Sequence, residues 1–573
     1  METINLKGQA TTAAKLRRAL ERIIQLYTDK SHFLYELLQN AEDTKATSAK
    51  FVQYEDRLEF FHDGHPFTQS NFDSLCDVGN SDKIKELNQI GEFGVGFKSV
   101  FSICKSVKLY SLPSHHKDKS PGFLKKFAVE IEDFTQPKLI PFEDFEAPFT
   151  TRFVFPFAVG LSFSGFETFE DLKRKLSTKL QGLAPSTLLF MKNLRSIEYQ
   201  INTKELTAGG RYTLSVEKLS ERCTRVAACG HANSGSNEKE AEETDYLVFS
   251  KPIDDKVQGG GDSRTVDIAF LITKDNECIS KEQYVSVYFP TETESKLNFI
   301  VQGPFRTTPN RTSIPADNKE NIALASKVSE LLRESLIELQ EMRILNLSYL
   351  SALPLDENRF ENYDLFKPLY EEVFSLFNSL ERPIIPTRSH DYVTREFAKL
   401  ARSEKLVDLF SDYLLSELIE VMPQRIRYKW LSTDITETNQ KNRHIYDYIT
   451  KKLKVRTIRP DDLKNYLDKN PSFLPSRTDE WLVRFYNLLA TEWRAECDRN
   501  KESNILTTKF VLTSDGEFNA PYKKERDNDG NIQYIQNIFP PVNASGKFDY
   551  MCIDKGIYSA CTDFFRNVLR LHG

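Results

Sequence analysis

Three polar side chains at helical spacing, Glu36, Asn40 and Asp43, are the first residues of the chain that could do chemistry. On an α-helix, the positions i, i+4 and i+7 fall within an arc of about 60°. An amide oxygen on such a face can hold Mg²⁺, which prefers oxygen ligands and keeps several waters, and a carboxylate can position a water. The alternative is an ordinary solvated helix face, which these residue types on their own would favour.

A glycine-rich segment, residues 91–98, follows downstream. Its glycines would let the backbone approach phosphates, and a helix starting near residues 97–100 would offer unpaired N–H groups and the positive end of its dipole. The spacing is not that of a P-loop, and the segment lacks the preceding strand and acidic residue of a dinucleotide-binding fold. Together with the helix face, in this order, it indicates a nucleotide site.

The elements that must position these residues form a sheet with helices on one face. Apolar spacing predicts helices at residues 12–27 and from about residue 30 to Asp43. Short apolar stretches predict strands at residues 50–54, 58–62, 106–111, 127–131 and 151–155. This order predicts an α+β sandwich.

The rest of the chain divides into two further regions. An α/β unit is predicted from about residue 196, and its polar stretch 229–244 is predicted to be a mobile loop. The remainder is predicted to be mostly helical, apart from a hairpin at residues 509–518. The predicted domains are therefore residues 1–195, 196–320 and 321–573, the last for a partner or client.

Composition excludes several classes of protein. The chain has 573 residues, 40% of them hydrophobic, and a formal net charge of -6 with acids and bases interspersed, which leaves a nucleic-acid partner open but unsupported. No apolar run is long enough to span a bilayer, so no membrane partner is expected. Eight cysteines without a CxxC pair argue against a zinc site and for a reducing cytoplasm. Cys223, Cys229 and His231 are interpreted as incidental neighbours rather than metal ligands.

Three segments resemble conserved boxes of one superfamily. Glu36-x-x-x-Asn40-Ala-x-Asp43, His62-Asp-Gly-His-Pro-Phe67 and Gly91-x-Phe-Gly-x-Gly-Phe-Lys-Ser99 resemble the N, G1 and G2 boxes of the GHKL ATPases, which include gyrase and the ninety-kilodalton heat-shock chaperones. The segments around residues 90–101 and 307–311 are similar to those of the sacsin-like branch. The resemblance implies a Bergerat ATP-binding sandwich, a mixed sheet with helices on one face. An α/β middle domain that completes the ATP site and a mostly helical C-terminal region would follow it.

The resemblance also implies a role for each matching residue. Glu36 would be the general base that activates the attacking water, Asn40 the Mg²⁺ ligand, and Asp43 a neighbour of the nucleotide. The stretch from Gly91 to Lys98 would form a lid and a phosphate-binding loop. The implied ATP-binding positions are Asn40, Asp43, His62, Asp63, Gly64, Gly91, Phe93, Gly94, Val95, Gly96, Phe97 and Lys98.

The G1 segment departs from the family pattern. That box usually reads Asp-x-Gly-x-Gly, and its Asp accepts a hydrogen bond from the adenine amino group. Aligned on Gly64, the equivalent place is His62, Asp63 is one residue away, and Pro66 replaces the second glycine. Either His62 or Asp63 could contact adenine, and Asp63-Gly64 could also be a simple turn.

A basic residue of the middle domain completes the site in related chaperones, where it reaches the γ-phosphate. Arg311 is the candidate here, because its guanidinium stays charged and can bind phosphate in two places. Arg306 and Lys296 are less favoured, and an ordinary surface arginine is the alternative.

The implied function is Mg²⁺-dependent ATP binding and slow or partner-stimulated hydrolysis. This ATPase would drive lid closure and domain docking in a chaperone-like or defence-associated switch that acts on a protein client or effector. It would work as a homodimer and without a membrane partner. The alternative is a nucleotide-responsive sensor or scaffold of bacterial antiphage defence, which binds ATP with little turnover and signals to an effector.

Overall fold

The computed structural model describes residues 33–67, 97, 99–113, 125–132, 136–159, 166, 168–234, 237–238, 242–253, 264–308, 313–420, 427–497, 505–528, 530–541 and 550–572. The chain divides into two compact units. The first unit comprises residues 1–335 and 358–369, and the second comprises residues 336–357 and 370–573. The predicted helix at residues 12–27 lies outside the described residues. The domain boundaries near residues 195 and 320 stay predictions.

Within the described ranges, fifteen strands of the first unit form one mixed sheet. The strands are β1 (Ser48–Gln53), β2 (Arg57–His62), β3 (Ser106–Ser111), β4 (Phe127–Glu132), β5 (Gln136–Leu139), β6 (Thr151–Pro156), β7 (Ser196–Asn202), β8 (Thr207–Lys218), β9 (Cys223–Ser234), β10 (Asn237–Glu238), β11 (Glu242–Pro252), β12 (Thr265–Ile272), β13 (Gln283–Val287), β14 (Phe289–Leu297) and β15 (Ile300–Gln302).

The strands follow the order β14-β13-β15-β12-β11-β9-β8-β7-β1-β2-β6-β3-β4-β5, and β10 pairs with β9. The pairs β1–β7 and β13–β15 are parallel, and the other described pairs are antiparallel. The strands predicted in the first 160 residues are present within one or two residues of their expected ends. The predicted mixed α+β class is confirmed.

Two helices of the first unit pack on the same face of the sheet. Helix α1 (Phe33–Asp43) buries Leu34, Leu37 and Leu38, and helix α2 (Phe169–Gln181) buries Leu172, Leu176 and Leu180. Both contribute to one apolar core with sheet residues such as Phe60 and Phe153. Thr168 caps α2 by accepting a hydrogen bond from the backbone N–H of Asp171. The apolar spacing that predicted α1 is therefore explained by burial on the sheet.

Strand alternation separates the two faces of the sheet at β2. Phe60 belongs to the core that α1 covers, whereas Phe61 belongs to a small cluster on the opposite face. On that opposite face, Glu59 pairs with Arg152 at 3.0 Å. Since successive side chains of a strand point to opposite faces, His62 lies on the same face as Phe60 and α1.

The prediction of a mobile loop at residues 229–244 is wrong for the described part of that stretch. Residues up to Ser234 continue β9, and β11 already begins at Glu242. Cys229 lies opposite Thr213 of β8 on one side and Glu243 of β11 on the other. Backbone pairing on both sides stabilises this stretch, so it needs no hydrophobic period to form a strand.

Helices are the most frequent elements in the described part of the C-terminal region, which the sequence predicted to be mostly helical. Its described helices are α3 (Lys319–Glu341), α4 (Leu347–Ala352), α5 (Lys367–Asn378), α6 (Glu404–Leu409), α7 (Asp412–Ile419), α8 (Arg443–Asp447), α9 (Pro460–Lys469), α10 (Asp479–Glu492) and α11 (Lys555–Ala560). Among the described helices of the whole chain, none combines the length and the apolar character needed to cross a bilayer.

Short strand pairs accompany these helices. The pairs are β16 (Ile385–Pro386) with β17 (Tyr392–Val393), β18 (Ala398–Lys399) with β19 (Lys429–Trp430), β20 (Val511–Leu512) with β21 (Phe518–Asn519), and β22 (Tyr522–Arg526) with β23 (Ile532–Gln536). The predicted hairpin is the β20–β21 pair, and Gly516 takes a φ of 84° in its turn. A positive φ of this size favours glycine.

Candidate functional site

The predicted polar face of α1 is present. Glu36 is buried, with 6% of its surface exposed, whereas Asn40 and Asp43 are exposed. Partial desolvation is the largest cause that raises the pKa of the Asp43 carboxyl to about 6, and the charges of Glu42 and Glu36 raise it further. Glu36 and Asp43 lie on the same side of α1, because residues at i and i+7 are two helical turns apart.

Glu42 has a different task from its neighbours on α1. Its carboxylate accepts hydrogen bonds from the backbone N–H groups of Lys192, Asn193 and Leu194, each at 2.8 Å. An acid in the last turn of a helix opposes the helix dipole, so its presence there indicates a nearby partner. That signal was available in the sequence but was not used. These bonds fix the end of α1, and with it Asp43, against the segment that precedes β7.

Asp63 holds the turn that connects α1 to β1. Its Oδ1 accepts hydrogen bonds from the backbone N–H groups of Thr47 at 2.7 Å and Ser48 at 2.8 Å, and its Oδ2 accepts one from the Thr47 hydroxyl at 2.5 Å. Both carboxylate oxygens are therefore engaged within the protein. Of the two candidates for the adenine contact, Asp63 is the one whose carboxylate already holds a turn of the protein.

His62 is the other candidate, and it lies at the end of β2 with only 2% of its surface exposed. Burial lowers the pKa of its imidazole to about 4, although the charge of Asp63 opposes this shift. The ring is therefore neutral at neutral pH. Its Nδ1 accepts a hydrogen bond from the backbone N–H of Gly64 at 3.2 Å, so the proton of the neutral ring lies on Nε2.

Gly64 follows at a place where a side chain would not fit. A Cβ atom there would lie 2.1 Å from the hydroxyl oxygen of Thr44, the residue that follows α1. The carbonyl of Gly64 accepts a hydrogen bond from the Thr150 hydroxyl at 2.5 Å, and the N–H of His65 donates to the Thr44 carbonyl at 2.8 Å. The end of α1 and the G1 segment are therefore in direct contact.

Three buried polar side chains, His62, Thr151 and Ser111, lie side by side across the sheet; we call them the first polar row. Thr151 is opposite His62 on β2 and opposite Ser111 on β3. The Ser111 hydroxyl accepts from the backbone N–H of Phe67 at 3.2 Å and donates to the Leu112 carbonyl at 3.3 Å. The Thr151 hydroxyl is fully buried and has no hydrogen-bond partner among the described residues.

Two aromatic rings lie beside His62, and further rings pack against one of them. The ring of His62 lies 6.0 Å from that of Phe60 and 6.4 Å from that of Phe153, measured between centroids. The Phe153 ring also packs against Phe97 at 5.4 Å and Phe67 at 6.0 Å. Phe97 is the described residue of the predicted phosphate-binding loop. The other members of that loop lie outside the described residues: Gly91, Phe93, Gly94, Val95, Gly96 and Lys98.

Thr151 and Ser111 were not among the residues predicted from the sequence. The signal for Thr151 was its alternation with Phe153 and Phe155, because a period of two places all three side chains on the core face of β6. A threonine at the buried end of such a strand is worth noting, since its hydroxyl must find a partner.

The three basic candidates of the middle region differ in what the structure shows of them. Arg311 lies outside the described residues. The Nε of Arg306 lies 2.6 Å from a carboxylate oxygen of Glu320, and the Nζ of Lys296 lies 2.8 Å from one of Asp364. Both less favoured candidates therefore already have acidic partners.

A second row of polar side chains crosses the other half of the sheet; we call Ser250, Asp267, Gln302 and Ser286 the second polar row, and all of them except the half-buried Ser250 are buried. Asp267 lies opposite Ser250 and Gln302, and Gln302 lies opposite Ser286. Burial raises the pKa of the Asp267 carboxyl to about 6, while hydrogen bonds from Ser250 and Thr265 lower it.

This second half of the sheet also contacts α1. The Tyr35 ring lies 4.8 Å from the Phe289 ring, and the Asp43 charge contributes, after burial, to raising the pKa of Tyr288. A residue of the second half of the sheet therefore packs against α1.

The donor atoms near α1 fit Mg²⁺ better than a transition metal. Among the described residues, no three His, Cys, Asp or Glu side chains gather closely enough to hold a metal ion by themselves. The Asn40 amide and the Asp43 carboxylate offer oxygen, the donor that Mg²⁺ prefers. An ion there would need further oxygens from water and from a phosphate ligand.

Comparison with known proteins finds two partial similarities. The chain is 27% identical to Protein NO VEIN of Arabidopsis thaliana over 400 residues, which cover 65% of this chain and 13% of that protein. It is 28% identical to Sacsin of Homo sapiens over 123 residues, which cover 18% of this chain and 3% of Sacsin. The chain thus spans a small part of either relative, and no protein-family model matches it. The similarity to Sacsin agrees with the sacsin-like resemblance of the motifs.

Proposed function

We propose that the chain binds ATP with Mg²⁺ and hydrolyses it slowly, as a GHKL-type ATPase with a Bergerat sandwich in its N-terminal part. The observation that carries this proposal is the direct contact between two of the three motifs, the end of α1 and the G1 segment. The acidic face of α1 ends at Thr44, and Thr44 contacts Gly64 directly beside the buried His62. The similarity to Sacsin and Protein NO VEIN supports the same assignment.

Each side chain on α1 then has a role that its environment suits. Glu36 is a buried carboxylate, and such a group can act as the general base that takes a proton from the attacking water. Asn40 reaches solvent and can contribute an amide oxygen to Mg²⁺, and Asp43 can orient water beside it. The bound Mg²⁺ would supply charge neutralisation at the phosphates.

The rest of the proposed cycle concerns movement. Nucleotide binding would close the segment from Gly91 to Lys98 over the phosphates and bring in Arg311, and hydrolysis would release both. Such a cycle would make the chain a conformational switch for a protein client or effector. The similarity to parts of much longer proteins fits a module that works together with partners.

The test measures ATP hydrolysis and ATP binding by the Glu36→Ala variant. We expect hydrolysis to fall by about a hundredfold or more, because general-base catalysis contributes on that order, while ATP affinity is retained. Glu132→Gln, which changes an exposed acid on β4, is the matched control and should hydrolyse ATP at the normal rate. Phosphate release measures the first quantity and titration calorimetry with Mg²⁺ the second.

Three results would separate the outcomes. Normal hydrolysis by Glu36→Ala would remove the assigned base. ATP binding without hydrolysis by the unaltered protein would favour the sensor or scaffold hypothesis over the ATPase. Failure of the folded protein to bind any nucleoside triphosphate would contradict the proposal as a whole.

A further inference from the structure

Lys399, on β18 of the second unit, is a half-buried lysine without an acidic partner. Its Nζ donates hydrogen bonds to the backbone carbonyls of Glu396 at 2.9 Å and Ala398 at 3.1 Å. Among the described residues, no carboxylate forms an ion pair with this nitrogen. A lysine that is withdrawn from water usually keeps its charge through such a pair, so Lys399 is unusual.

Four other lysines with little-exposed side chains do have acidic partners. The exposed fractions of their side chains lie between 6% and 20%, and each contacts two carboxylates: Lys50, Lys173, Lys251 and Lys429. Lys429 is the closest comparison, because it belongs to β19, which pairs with β18. Its Nζ lies 3.4 Å from Asp412 and 3.8 Å from Asp391. Burial alone therefore does not explain the missing acid at Lys399.

A tyrosine ring and an arginine adjoin the Lys399 strand instead. The Nζ of Lys399 lies 4.8 Å from the centre of the Tyr428 ring. Arg456 lies beside β18, because its carbonyl accepts a hydrogen bond from the N–H of Leu400 at 3.2 Å. The Arg456 side chain is 71% exposed, and one of its nitrogens lies 2.5 Å from Asp462. Its other N–H groups have no acceptor among the described residues, so they remain available to an anion.

These surroundings disfavour the charged form of Lys399. Burial is the largest cause that lowers the pKa of its ammonium to about 8, and the charge of Arg456 lowers it further, against the opposing charges of Glu396 and Asp462. Near pH 8, about half of the Lys399 side chains are therefore neutral amines, compared with roughly 0.3% for an ordinary lysine. The neutral amine is the nucleophilic form, because it has a lone pair.

The hydrogen bonds of Lys399 also fit the neutral form. A neutral amine has two N–H groups, and two backbone carbonyls accept from this Nζ. When both N–H groups are used, the lone pair is directed away from the two carbonyl oxygens. It is then available to an electrophile that reaches the half-buried amine.

We propose that Lys399 is a site of covalent acylation by acyl phosphates. The lone pair on Nζ attacks the carbonyl carbon and forms a C–N bond. The bond between that carbon and the phosphate oxygen breaks, and phosphate leaves with the electron pair and takes up the proton that the amine loses. The exposed guanidinium of Arg456 attracts the negatively charged phosphate, since arginine binds phosphate well. This inference concerns the second unit and does not depend on the proposed ATP site.

The test treats the full chain with acetyl phosphate between about pH 6.5 and about pH 10 and follows each lysine by peptide mass spectrometry. At about pH 7.5, Lys399 should react about tenfold faster than the exposed Lys441, since its larger neutral fraction outweighs the weaker nucleophilicity of a less basic amine. The Lys399 rate should level off above about pH 9, whereas the Lys441 rate should keep rising. Lys429 should react more slowly than either, because two carboxylates pair with its ammonium.

Arg456→Gln tests the contribution of the neighbouring cation. We expect Lys399 of this variant to be acetylated about threefold more slowly at about pH 7.5, since the ammonium is less disfavoured and the phosphate is less attracted. Arg402→Gln is the matched control, because it removes an exposed arginine close to Lys399 in sequence, and it should leave the rate unchanged. Circular dichroism checks that both variants are folded, and the pH profile of the unaltered protein needs no variant.

Three results would overturn the inference. One is a Lys399 rate that rises in parallel with the Lys441 rate up to about pH 10. Another is the absence of acetylation at Lys399 in folded protein whose Lys441 is acetylated. The third is an Arg456→Gln variant that reacts as fast as the unaltered protein, which would contradict the selection of an acyl phosphate. Equal rates at the two lysines in denaturing urea, together with a levelled profile in the folded protein, are the expected result.

Discussion

The two polar rows of the sheet show that burial shifts the pKa of a base and the pKa of an acid in opposite directions. In the first row, burial lowers the pKa of the His62 imidazole to about 4. In the second row, burial raises the pKa of the Asp267 carboxyl to about 6. Burial favours the neutral form in both cases, because a charge is poorly solvated inside the protein.

The consequence near neutral pH differs between the rows. Near neutral pH the His62 imidazole stays in its neutral form, which burial favours, and carries one N–H group. Asp267 must ionise at neutral pH although its surroundings disfavour the charge. Both rows therefore make the stability of the sheet depend on pH, the first through protonation of His62 at acidic pH and the second through ionisation of Asp267 near neutral pH.

Asp267→Asn should produce the largest effect. Because the folded-state pKa of Asp267 lies above its ordinary value, the contribution of Asp267 to stability is greatest at acidic pH and is lost as pH rises through about 6. Removing the charge should favour the variant over the unaltered protein by roughly 2–3 kcal/mol more at pH 8 than at pH 4. Urea unfolding followed by circular dichroism at the two pH values measures this difference.

The matched control for the loss of a carboxylate is Asp275→Asn, at an exposed turn after β12. A difference between Asp267→Asn and the unaltered protein that stays constant from pH 4 to pH 8 would contradict the contrast between the rows.

His62→Asn should have a smaller effect of opposite sign. The folded-state pKa of His62 lies below its ordinary value, so its contribution to stability is present above about pH 6.5 and is lost as pH falls towards 4. Between pH 7 and pH 5, the unaltered protein should lose about 2 kcal/mol that the variant does not lose. The same unfolding experiment measures it, and His231→Asn, at an exposed histidine of β9, is the control. Equal losses in the unaltered protein and in His62→Asn would show that His62 is not buried as described.

Thr151→Val should produce the smallest change in stability. Removing a buried hydroxyl without a partner should raise the free energy of unfolding by about 1 kcal/mol. All three tryptophans, Trp430, Trp481 and Trp493, belong to the second unit. Tryptophan fluorescence therefore follows that unit and should not change, whereas circular dichroism should detect the gain. A loss of stability would indicate that the hydroxyl has a partner in solution.

Local patterns predicted α1 and the strands around it, but not the contacts that distinguish neighbouring residues. The spacing of Leu34, Leu37 and Leu38 is enough to place a helix, since it must bury one face. The choice between His62 and Asp63 depended on hydrogen bonds from Thr47 and Ser48, which no periodicity records.

The part of β9 beyond residue 229 and the start of β11 were not predicted, for a related reason. β9 is stabilised by its pairing with β8 and β11, which are distant along the chain, rather than by an apolar face of its own. The first polar row likewise combines residues from three strands that are far apart in sequence. Such sites become visible only when the register of the strands is known.

The parallel pairing of β1 with β7 affects how the protein can be divided for study. A fragment that stops at residue 195 would keep β1 but lose its hydrogen-bonded neighbour. The unprotected backbone edge could then recruit other copies, and insolubility of that fragment would be the expected laboratory result. A shortened version intended for crystallisation or nucleotide titration should therefore extend past Gln302, so that the sheet keeps all of its strands.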